Sequence, residues 1–75
     1  MNDKQIIRDA MQSRGYTQSL LAEKVGYASQ AGIGQILSAR NNTRLDTFVK
    51  LLNAMDFEVV VRSKTKSGEE WKVEM

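Results

Sequence analysis

The stretch Thr17-Gln18-Ser19-Leu20-Leu21-Ala22-Glu23-Lys24-Val25-Gly26-Tyr27-Ala28-Ser29-Gln30-Ala31-Gly32-Ile33-Gly34-Gln35-Ile36-Leu37 decides the fold. It carries two short apolar stripes at helical spacing. Leu21, Ala22 and Val25 share one face of the first piece, and Ile33, Ile36 and Leu37 recur at i, i+3 and i+4 in the second. Thr17 stands where an N-cap belongs. Gly26 ends the first piece, because glycine enters the left-handed conformation without a steric penalty. A stop that tight turns the second piece steeply across the first.

On the N-terminal side, Asn2 or Asp3 caps a helix whose buried face is Ile6, Ile7, Ala10 and Met11, with Gly15 as its stop. Past Gly26, Ser29 occupies an N-cap position for a helix over about Gln30 to Ala39. Arg40-Asn41-Asn42-Thr43-Arg44 then reads as a polar loop. Thr43 and Asp46 have capping-box spacing ahead of a strongly apolar helix with Leu45, Phe48, Val49, Leu51, Leu52 and Met55. After Met55 the period changes from helical to two. Phe57, Val59 and Val61 alternate with Glu58, Val60 and Arg62. Thr65-Lys66-Ser67-Gly68 forms a turn, and Trp71, Val73 and Met75 alternate with Glu70, Lys72 and Glu74. The expected fold is therefore mainly α: a small four-helix domain over residues 1–56, followed by a β-hairpin over residues 57–75.

Composition removes whole classes of activity. The 75-residue chain is 41% hydrophobic and 27% charged, with no cysteine and no histidine. That excludes disulfides, thiol nucleophiles and imidazole or thiolate metal sites, and it takes away the usual acid–base side chain near neutral pH. No carboxylate pair falls in a catalytic motif, so neither an enzyme nor a cofactor is expected. No apolar run approaches the ~20 residues that span a bilayer. The polar start Met1-Asn2-Asp3-Lys4 lacks the basic-then-apolar pattern of a secretory signal, which makes the cytoplasm the expected location. A domain this small has a limited core, and oligomerisation is the reinforcement left to it.

The Thr17–Leu37 pattern is a helix-turn-helix, in which the second helix stands out from the body and enters the major groove of DNA, about 12 Å wide. Thr17-Gln18 through Gly26 resembles the first helix of that motif in the lambda-repressor/Cro (XRE) family. Ile33-Gly34-Gln35-Ile36 resembles the core of its recognition helix, and Arg40 to Met55 its loop and packing helix. The chain departs from the family pattern in three places. The link from Gly26 to Ile33 is one residue longer, Leu37 stands where the family often has Glu, and Ala39 where it often has Gly.

The resemblance implies double-stranded DNA as partner and assigns roles by position. Gln18 contacts a phosphate and braces the recognition helix. Ser29 and Gln30 lie at the start of that helix, where an amide can pair bidentately with adenine, and Gln35 shares the outward face. Ala31, Gly32 and Gly34 are small enough for close backbone approach to DNA, with a thymine-methyl contact open to Ala31. The loop residues Arg40, Asn41, Asn42 and Arg44 include two arginines and no acid, a composition suited to phosphates. Charge placement agrees: residues 1–56 hold 7 basic and 5 acidic side chains, residues 57–75 hold 4 of each.

One helix reads only a few base pairs, and related modules pair so that two helices meet half-sites 34–36 Å apart. The hairpin is the expected dimerisation element, with Val59, Val60, Val61, Trp71 and Val73 closing over a second copy and its open edges satisfied there. The alternative is a hairpin folded onto its own helices. The resulting function is a sequence-specific transcriptional regulator, a homodimeric repressor. The second reading is an antitoxin-like module that binds a toxin-like protein partner, since small proteins of this kind with a β extension serve both as mobile-element regulators and as antitoxins.

Overall fold

Asn2 starts the first helix by a reciprocal cap. Its side chain accepts from the Gln5 amide (2.9 Å), and the Gln5 side chain accepts from the Asn2 amide (3.1 Å). In the computed structural model, which describes residues 1–75, the elements run α1 (Asp3–Arg14), α2 (Gln18–Val25), α3 (Ala31–Ser38), α4 (Leu45–Ala54), β1 (Val59–Arg62) and β2 (Glu70–Val73). The mainly helical fold with a C-terminal antiparallel hairpin is the one expected.

The α2–α3 turn forms as the sequence indicates. Thr17 Oγ1 accepts from the Leu20 amide (3.1 Å), and Gly26 ends α2 at φ 83°, a left-handed value that glycine adopts freely. Two expected caps do not form. Ser29 caps nothing: the residue flanking α3 is Gln30, in helical conformation and with no side-chain cap. Thr43 does not cap α4, whose N-terminal flank is Arg44. The Thr43 amide donates instead to Asp3 Oδ2 (2.6 Å). A long-range tie has taken the place of a local one.

The helices close on one core. Ile7, Ala10 and Met11 of α1, Leu21 and Ala22 of α2, Ile33 and Leu37 of α3, and Leu51, Leu52 and Met55 at the end of α4 form a single cluster. No polar side chain is buried with them. Leu37 is 5% exposed, consistent with an apolar residue beneath the following loop. At the far end of α1, Arg14 Nε donates to Met55 O (3.0 Å) and the guanidinium lies 4.1 Å from the Phe57 ring centre. Arg14 thus covers a carbonyl that the end of α4 leaves unpaired.

The hairpin pairs Val59 with Val73 and Val61 with Trp71, as the period-two pattern requires. Directly opposed residues share a face, so these four form an apolar face. The register puts Val60 opposite Lys72, on the other side, so Val60 does not join it. Phe57 and Val59 rest on the helical core, whereas Val61 and Trp71 are 53% and 61% exposed. The chain measures 43 × 25 × 22 Å with a radius of gyration of 13.3 Å, against about 11 Å for a compact chain of this length. The hairpin projects, seated only at its base.

Hydrogen bonds from Thr43, its amide first and then its hydroxyl, with smaller pulls from the Lys4 amide and charge, hold the Asp3 carboxyl down to about 2. A carboxylate lowered in the folded state stabilises that state above its unfolded value, near 3.9, and the contribution is lost as pH falls through the folded value. The stability difference between wild type and Asp3→Asn should therefore be constant from pH 7 to 5 and shrink between about pH 4 and 2. Urea unfolding across that range checks it; a gap that does not narrow contradicts the tie.

Candidate nucleic-acid interface

The second helix of the motif is open along its outer face. Ile33 and Leu37 bury one side of α3 in the core, which turns Gln35 outward. Gln35 makes no side-chain hydrogen bond within the protein, so its amide is free to donate and accept. Gln30 and Ala31 are also exposed, just ahead of and at the first turn of α3. Ser19 Oγ on α2 donates to Gln30 Oε1 (2.7 Å). That bond holds the Gln30 carboxamide by its oxygen and leaves its NH2 and a second lone pair unused within the protein, the set that bidentate adenine recognition uses.

The loop after α3 adds cations beside this face. Arg40 is exposed and has no acidic partner. Arg44 is 83% exposed and pairs with Asp46 (3.0 Å); a pair this exposed is weak and is readily exchanged for a phosphate. Gly32, Gln35, Asn41, Asn42 and Arg44 line one open depression of about 270 Å³ between α3 and the loop. Ser29 lies outside it, in a neighbouring depression with Tyr27 and Gly32. Gln18 is exposed at the first position of α2, next to α3.

The glycines of α3 also have a reason inside the protein, beside the expected approach to DNA. Both are half-buried. A Cβ on Gly32 would stand 3.0 Å from Cδ2 of Tyr27, and one on Gly34 would stand 3.3 Å from Oε1 of Gln18. They admit neighbours from the α2–α3 link and from α2, so the nearest reason for them lies inside the protein. The Gln18 side chain thus lies against the α3 backbone at Gly34.

The structure adds residues that the sequence reading did not single out. Ser19 orients Gln30, and Thr47 of α4 lines both depressions. Neither has a signal in the sequence beyond a small polar side chain on a helix, because both roles arise from packing between helices.

A model of the helix-turn-helix family matches residues 7–60, all of the motif and both flanking helices apart from the first turn of α1. The chain belongs to that family, the lambda-repressor-like (XRE) DNA-binding regulators. No curated protein and no solved structure matches it. No helix is long and apolar enough to cross a membrane.

Proposed function

We propose that the protein is a sequence-specific repressor that works in the cytoplasm as a homodimer, occluding a promoter by occupying its major grooves. The observation that carries this is the exposed set Gln30, Ala31 and Gln35 with Asn41, Asn42 and Arg44, whose side chains make no hydrogen bond within the protein apart from the Ser19–Gln30 bond and the Arg44–Asp46 pair. In this reading Gln30 and Gln35 contact bases. Gln18, Ser29, Arg40, Asn41, Asn42 and Arg44 hold phosphates and set the register. The mechanism needs no chemistry beyond binding.

The helical domain (residues 1–56) reads DNA and the hairpin (residues 57–75) joins two copies. Support for pairing comes from the uneven faces of the hairpin. One face is balanced by Arg62–Glu70 (2.7 Å) and Lys72–Glu58 (3.7 Å) ion pairs, while the other leaves Val61 and Trp71 bare. Exposed aromatic surface of this kind marks protein contacts. The same bare face favours a second reading, an antitoxin-like chain whose hairpin binds a toxin-like protein. Ionic strength separates the two, since phosphate contacts weaken steeply with salt and apolar contacts do not.

Two variants test the base and phosphate roles together. Gln35→Ala should weaken the preferred duplex by about 1–3 kcal/mol and leave random duplex unchanged. Arg40→Ala should weaken both alike and lower the salt slope by about one. Equal losses on both duplexes for Gln35→Ala would remove it as a base reader.

A further inference from the structure

We propose that the first turns of α1 act as a positioning device for the DNA-facing loop: Asp3, Lys4 and Arg8 hold the main chain that carries Arg40 and Arg44. The inference rests on the DNA-binding reading and extends it to residues outside the motif.

Residues 39–43 make no main-chain hydrogen bond to one another or to the helices on either side. Left alone, this segment would have its backbone shaped only by water, and ordering it would oppose binding. Three side chains from the first two turns of α1 hold it instead. Arg8 Nη2 donates to Leu37 O (3.0 Å), a carbonyl that the end of α3 leaves unpaired. The Lys4 ammonium donates to Asn41 O. Asp3 Oδ2 accepts from the Thr43 amide (2.6 Å). The ties fall at residues 37, 41 and 43, and so bracket Arg40 and immediately precede Arg44.

Two features separate positioning from direct contact. The Lys4 and Asp3 side chains are only 14% and 21% exposed, and they lie together at 3.9 Å. Lys4 is thus committed to the protein rather than presented to a phosphate. Asp3, as an anion, would repel DNA, so its presence beside the loop requires an indirect benefit.

That opposition of sign provides the test. Removing a carboxylate raises the net charge from its formal +2, and by field alone Asp3→Ala should tighten DNA binding. Positioning predicts the reverse. Asp3→Ala should bind every duplex roughly five- to tenfold more weakly, the scale of ordering a few side chains on binding. The salt slope should stay unchanged, because no phosphate contact is deleted. Asp3→Asn, which keeps an acceptor for the Thr43 amide, should recover most of the affinity. In an Arg40→Ala/Arg44→Ala background, Asp3→Ala should add almost nothing. Circular dichroism at the assay temperature establishes that each variant is folded, and amide exchange of Asn42 and Thr43 reads the loop without DNA. Faster exchange in Asp3→Ala is expected.

If wild type binds duplex and Asp3→Ala binds equally or more tightly, the positioning role is wrong and the DNA reading stands. If wild type binds no duplex, the DNA reading falls and the positioning role with it. Unchanged exchange at the Thr43 amide in Asp3→Ala overturns the role whatever DNA does.

Discussion

Ile33→Ala should remove about a fifth or more of the protein's stability while leaving the outward surface of α3 chemically intact. Ile33 is fully buried, on the inner face of α3 and within the cluster that joins all four helices. Truncating such a residue costs about 2–5 kcal/mol, because lost burial and the remaining cavity add. A 75-residue chain has roughly 4–11 kcal/mol in total at 0.05–0.15 kcal/mol per residue. The melting temperature should fall by about 10 °C or more. Urea unfolding should show a lower midpoint with the same slope. Gln35→Ala, two residues on and exposed, should shift stability by no more than about 0.5 kcal/mol. The contrast between them measures which face of α3 is inside. A loss below about 1 kcal/mol for Ile33→Ala would mean that α3 is not seated as described.

Trp71→Ala should convert the protein from dimer to monomer. The indole is 61% exposed in the single chain and faces the same way as Val59, Val61 and Val73. Little is lost within one chain when it is removed, so monomer stability should hardly change. Across a two-fold interface the same ring would be a central anchor. Anchors of that kind are worth at least about 2 kcal/mol, or roughly thirtyfold in the dimer constant. Sedimentation at micromolar concentration should give a dimer for wild type and a monomer for Trp71→Ala. The wild-type melting temperature should rise with concentration and that of the variant should not. Affinity for a two-half-site duplex should fall at least about tenfold in the variant, since the second half-site no longer assists the first. A wild-type chain that sediments as a monomer would leave the hairpin for a different protein partner, as the antitoxin-like reading holds.

The elements that sequence alone predicts are those built from local signals. Gly15 and Gly26 end α1 and α2, Thr17 caps α2, and the stripes of Ile7, Leu21, Ile33 and Leu51 point to one core. Period two from Phe57 onward gives the hairpin and which residues share a face, while the pairing register comes only from the structure. What sequence does not reveal is set by residues far apart. Thr43 looks like a cap because its spacing to Asp46 is right, yet its amide serves Asp3, 40 positions away. Ser29 looks like a cap for α3, but Gln30 after it is already in helical conformation and its side chain accepts from Ser19. Gly32 is read as small for the sake of DNA, and the ring of Tyr27 beside it is a second reason that only packing reveals. Outward residues such as Gln35 are legible because an amphipathic helix has only one outside. Which of them touch a base or a phosphate depends on the partner.

Selection of bound sequences from a random duplex pool tests the central claim most directly. A homodimer reading DNA through α3 should enrich a palindrome whose half-site centres lie about one helical turn apart, 10–10.5 base pairs. Arg40→Ala should recover the same motif more weakly, and Gln35→Ala should lose discrimination at one position in each half. A pool that emerges as random as it entered, from protein shown to be folded and dimeric, would contradict sequence-specific DNA recognition by this chain.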